Sequence, residues 1–142
     1  MAPFFLCYFA LKSSSLRNLT DSFVPAICWL ILSSILFFIP GDQLPREEIF
    51  ALPNFDKLVH SFLFFILCYL FFRPVRHLEN IATRKALYFK ISLAAVFYGL
   101  VVEVIQKYFV VNRSFDLWDI IFDTLGCACA YLWARKYLVK VV

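Results

Sequence analysis

The stretch from Phe97 to Gly126, FYGLVVEVIQKYFVVNRSFDLWDIIFDTLG, constrains this chain more than any other. It reads as the end of one hydrophobic helix, a short turn and the start of the next, yet it carries Glu103, Gln106, Lys107, Arg113, Asp116, Asp119 and Asp123. The 3.6-residue repeat puts Glu103 and Gln106 on one helical face, and the i, i+3, i+7 spacing does the same for Asp116, Asp119 and Asp123. A carboxylate in hydrocarbon is costly unless it is paired or hydrated, so a stripe of them marks a place where function is expected.

The rest of the chain supplies the hydrocarbon setting. Of its 142 residues 63% are hydrophobic and only 17% charged, with 18 Phe against 3 Gly, more apolar surface than a small water-soluble domain can bury. About four spans of roughly 20 residues fit in one domain. The expected fold class is therefore an all-α membrane protein, a four-transmembrane-helix bundle with short loops. Its spans are placed at about 23–39, 57–72, 86–109 and 116–137, with 1–22 as an interfacial or flexible segment. Pro40-Gly41 is expected to end the first span and Arg73-Pro74 the second. The five cysteines lie scattered in apolar stretches and read as packing residues. The apolar start has no basic residue before it and no small-residue cleavage site after it, unlike a signal peptide.

Lys and Arg collect in the N-terminal segment, the 73–86 connector and the C-terminal tail, which four spans would place on one side. The positive-inside rule makes that side the cytoplasm, with both termini there, in a multi-pass protein of the cell membrane. The net charge of +4 fits membrane orientation rather than nucleic-acid binding. Tyr108 and Trp118 are expected in the outer aromatic belt, and Tyr88, Trp133 and Tyr137 in the inner one. At 1.5 Å per residue His60 falls ~5 Å, Glu103 ~9 Å and Asp123 ~10 Å below the outer ends of their spans. Three helices thus bring polar groups to similar depth, which suggests a polar chamber opening outward.

Each candidate has a functional and a packing reading. Glu103 with Gln106 suits proton handling or ligand binding, or a buried lock between helices paired with Lys57 or Arg113. His60, four residues after Asp56, suits a base oriented by that carboxylate, or a hydrogen bond across to another helix. Asp116 reads as an N-cap. Asp119 and Asp123 lie deeper and read as partners of Arg113 and Lys57, or as ligand-binding groups that hold a cation. Arg113 and Lys57 suit the phosphate or carboxylate of a ligand, or bridges to those aspartates. The acidic excess is compatible with a hard divalent ion, but spacing alone supplies no converging ligand set, and no metal is expected. Gly99 and Gly126 read as points of close helix approach.

The blocks DKLVHSFLFF (56–65), EVIQ (103–106) and RSFDLWDIIFDTLG (113–126) resemble the signature blocks of the VanZ-like family, small multi-helix membrane proteins named for one associated with low-level teicoplanin resistance. The resemblance runs from about 40 to 135. It carries the family's polar positions onto Asp56, Lys57, His60, Glu103, Gln106, Arg113, Asp119 and Gly126. Family members often have Asn where Asp123 stands here, and Pro-Gly where this chain has Val111-Asn112. No stretch resembles a coenzyme-binding site, so no cofactor is expected.

The resemblance and the outward chamber together imply a cell-envelope protein that binds or modifies a lipid-linked or peptidoglycan-related molecule. As an enzyme it would use His60 or Glu103 as proton carrier, with Arg113 holding an anion. A small ion-coupled transporter, which would need a homo-oligomer to form a pathway, and a structural membrane module are the competing readings. The nearly apolar inner halves of the spans count against transport.

Overall fold

The computed structural model describes residues 21–40, 55–111 and 113–139. These form four helices, α1 (Val24–Phe37), α2 (Phe55–Val75), α3 (Ile81–Phe109) and α4 (Leu117–Tyr137), and there is no strand among the described residues. Helices α2, α3 and α4 are long and apolar enough to cross a membrane. Helix α1, expected over 23–39, has 14 residues. At about 21 Å it is shorter than a hydrocarbon core of about 30 Å. Pro40 accounts for the early end, because a residue preceding proline is driven out of the α region.

Local chemistry sets the other boundaries. Helix α3 starts at Ile81, ahead of the expected 86, because the Asn80 side chain caps it, accepting from Ala82 N at 2.9 Å and Thr83 N at 3.1 Å. Arg73-Pro74 does not stop α2, which continues to Val75. A proline in the last turn removes a single helical hydrogen bond, and Arg76 N still reaches Phe72 O at 3.1 Å. The 41–54 loop and the 1–20 segment lie outside the described residues.

The most extensive packing is between α2 and α4, and α1 is the most peripheral helix. Gly126, Ala130 and Ala134 repeat every fourth residue and are all buried, so α4 presents a small-residue stripe along which a backbone can approach closely. At Gly126 the approach is complete. A methyl group there would collide with the Ser61 carbonyl of α2. Cys127 beside this stripe and Cys68 are both buried in the core, which Phe64, Leu67 and Phe72 also fill. Trp29 ties α1 to α2 through Nε1–H donated to Leu63 O at 3.1 Å, and Ser34 shares a 2.7 Å hydrogen bond with the Tyr98 hydroxyl of α3.

Large apolar side chains such as Ile31, Ile35, Phe62, Leu93, Phe97 and Leu132 face outward, the surface a lipid-embedded bundle requires. Tyr108, Trp118 and Tyr137 are exposed near helix ends. Tyr88 is not a belt residue. It is fully buried, its ring 4.7 Å from Phe72.

Charge is segregated along the bundle. At one end Asp21, just before α1, accepts from Arg73 at 3.1 Å and Arg76 at 2.6 Å, with His77 Nε2 also at 3.1 Å. Nearby, Arg84 is buried and donates to Arg76 O at 3.0 Å. At the other end lie the carboxylates of the sequence blocks. Helix α1 joins the two, since Gln106 Nε2 of α3 donates to Phe37 O at 2.9 Å and the Phe37 ring lies 4.8 Å from His60.

Candidate functional site at the acidic end

Three helices build the acidic end. Helix α2 begins with Asp56, Lys57 and His60, successive positions of its first turn and a half. Helix α3 contributes Glu103 and Gln106 from its last two turns, and α4 contributes Asp119 and Asp123 from its first two. His60 Nδ1 and Asp123 Oδ1 meet at 3.0 Å, with side chains only 3% and 1% exposed. The second Asp123 oxygen points at Gly99, where a methyl group would sit 2.7 Å from it. Both glycines of the sequence reading therefore mark close approach, Gly126 to a backbone and Gly99 to a carboxylate.

Nearer the surface, Lys57 Nζ bonds Asp116 Oδ2 at 2.8 Å and lies 3.5 Å from Asp119 Oδ1. Asp116 is the N-cap that its position suggested, accepting from Trp118 N at 2.8 Å. Its carboxyl is held below the usual range, first by the Lys57 ammonium and then by the Trp118 N–H, which outweigh its partial desolvation. The Asp116 backbone N–H donates to Glu103 Oε2 at 3.1 Å, so a single residue links α3 to the start of α4.

Several expectations are corrected by this geometry. Of the two readings of His60, the hydrogen bond across to another helix is the one formed, to Asp123, while Asp56 is exposed. Arg113 makes no ion pair with Asp119 or Asp123 among the described residues. It is half-buried, and its Nε is buried without a hydrogen-bond partner among the described residues. Glu103 pairs with a backbone N–H and not with Lys57 or Arg113. Gln106 is engaged by the C-terminal end of α1, a carbonyl that its helix cannot satisfy.

Three buried carboxylate oxygens here have no hydrogen-bond partner among the described residues: Glu103 Oε1, Asp119 Oδ1 and Asp123 Oδ2. Native proteins leave few such groups, and each calls for an explanation. Deeper along α2, away from this cluster, an apolar cavity of about 260 Å3 lies between α1, α2 and α3, lined by Leu30, Leu67, Cys68, Phe71, Ile91 and Tyr98. Sequence reasoning found neither the cavity nor the basic-end anchor Asp21. The lone acidic residue of the 1–22 segment, set among basic stretches, was the available signal for the anchor.

The fold and the cluster define a small all-helical membrane protein with ionisable side chains buried at one end of its bundle. The VanZ/LLP1 family model matches residues 2–140, and the chain belongs to that family. An uncharacterized protein of the fission yeast Schizosaccharomyces pombe is 37% identical over 106 residues, which is 75% of this chain. The chain spans 57% of that relative's length. No solved structure matches the chain.

Proposed function

We propose that the acidic end binds, and by proton transfer modifies, the polar head group of a lipid-linked molecule of the cell envelope. The observation that carries this reading is Glu103 Oε1, fully buried with no hydrogen-bond partner among the described residues. An ionisable group so placed in a membrane protein is functional by default. Glu103 Oε2 is fixed by the Asp116 N–H, so Oε1 is the oxygen left to accept a ligand's donor or to carry its proton. Asp119 Oδ1 and Asp123 Oδ2 add acceptors for hydroxyl or amine groups, while Lys57 and the Arg113 guanidinium supply donors for an anionic group. The apolar cavity farther along the bundle suits part of an acyl or prenyl chain.

Teicoplanin tolerance would be a consequence of the activity in a bacterial host, not its definition.

The test uses the detergent-solubilised protein with a polyprenyl phosphate and the matching uncharged polyprenol. The phosphate should bind at least ten-fold more tightly, and Arg113→Ala should remove the difference. Equal binding of the two, or binding of neither, refutes the reading. In a glycopeptide-sensitive host, wild type but not Glu103→Gln at matched membrane level should lower teicoplanin susceptibility.

A further inference from the structure

We infer that Asp56, His60 and Asp119 form a binding site for a divalent first-row transition cation. One ligand atom from each of the three lies within 4.8 Å of the other two, and they come from two helices held together by the α2–α4 interface. A tetrahedral ion with bonds of about 2.1 Å sets its ligand atoms about 3.4 Å apart, so small side-chain rotations close the set.

Two further observations point to a ligand. His60 and Asp119 are both more than nine-tenths buried, and Asp119 Oδ1 has no hydrogen-bond partner among the described residues. Its cationic neighbour, Lys57, is 3.5 Å away and anchored instead on Asp116 at 2.8 Å, so a metal ion would displace only the longer of two contacts. The second observation is the imidazole itself. When the Asp123 carboxylate accepts from Nδ1–H, the ring lone pair lies on Nε2, the carboxylate–histidine arrangement that orients and strengthens a ligating histidine.

One imidazole with two carboxylates suits Zn2+ or Mn2+ better than Mg2+ or Ca2+, which take all-oxygen shells. Three protein ligands also keep a coordination position open. The inference stands on this cluster alone and holds whether or not a lipid head group binds. If one does, the ion would supply the positive charge that an acidic site otherwise lacks toward an anion.

The experiment strips the full chain in detergent with a chelator and then titrates Zn2+ and Mn2+ separately. Wild type should take up one equivalent, and pulsed electron paramagnetic resonance of the Mn2+ form should show coupling to an imidazole nitrogen. Asp56→Asn and Asp119→Asn should each weaken uptake at least ten-fold, and His60→Gln should abolish the nitrogen coupling. Asp21→Asn, at the opposite end, should change neither. Asp56 is exposed, so its variant keeps the fold and decides the matter even where the buried variants do not. Absence of stoichiometric uptake, or uptake that Asp56→Asn leaves unchanged, overturns the site.

Discussion

His60 on α2 and Asp123 on α4 meet at 3.0 Å with both side chains almost wholly withdrawn from solvent. Each satisfies a group that the other would otherwise leave stranded. Removing one partner of a buried pair leaves the other uncompensated, at a cost of about 3–5 kcal/mol. Asp123→Ala should therefore lower the thermal unfolding temperature in detergent strongly. Asp123→Asn, which keeps the shape and can still hydrogen-bond to the ring, should lower it by less than half as much. Equal effects would mean that the pair contributes little beyond its volume.

Gly126→Ala is expected to be worse than an ordinary overpacking substitution, which costs about 1–3 kcal/mol. The added methyl group meets the Ser61 backbone carbonyl, which cannot rotate aside as a side chain can. The membrane level of the variant, measured against wild type from one promoter, should fall at least several-fold. Gly99→Ala meets the Asp123 carboxylate at 2.7 Å and the Phe64 ring at 3.2 Å, and should act on the His60–Asp123 pair before it acts on abundance.

Gln106→Leu should loosen α1 without unfolding the other helices. The substitution leaves Phe37 O without its donor, a loss of about 1–3 kcal/mol for a buried carbonyl. Hydrogen exchange should then speed up in 30–38 and change little in the facing half of α2. Uniform acceleration across all four helices would show that α1 unfolds only with the whole bundle.

The basic end should respond to acid through Asp21. Burial alone would raise its carboxyl, but the hydrogen bonds from His77 and Arg76 and the charges of Arg76 and Arg73 together hold it below its usual value. A carboxyl with a depressed folded-state pKa contributes stability above its unfolded value, near 3.8, and loses it as the pH falls through the folded value. The difference in melting temperature between wild type and Asp21→Asn should be full at pH 6 and vanish in strong acid. A difference independent of pH would assign it to shape, not charge.

The sequence showed the helical class, the three long spans and the residues that gather at one end, because apolar length and 3.6-residue spacing are local properties. The Asp116 cap was legible for the same reason. Partner choice was not. Asp56 and His60 are four apart on one helix and looked like a pair, yet α4 approaches so closely at Gly126 that Asp123 reaches the imidazole first. Arg113 and Lys57 both looked like counter-ions for the aspartates, and Lys57, rising from α2, is the one that meets Asp116 and Asp119. Which cation meets which carboxylate depends on how the helices are rotated against each other, and spacing along one helix does not encode that.

The contact at Gly126 has a mechanical consequence. Ser61 directly follows His60, and Gly126 lies within one turn of Asp123, so the acid–imidazole separation is set by main chain resting on main chain. Side-chain thermal motion has little leverage over a distance fixed in that way. Helices α2 and α4 therefore behave as one stiff jaw, preorganised before any ligand arrives. Helix α1, the most peripheral of the four, is the element best placed to move against this jaw.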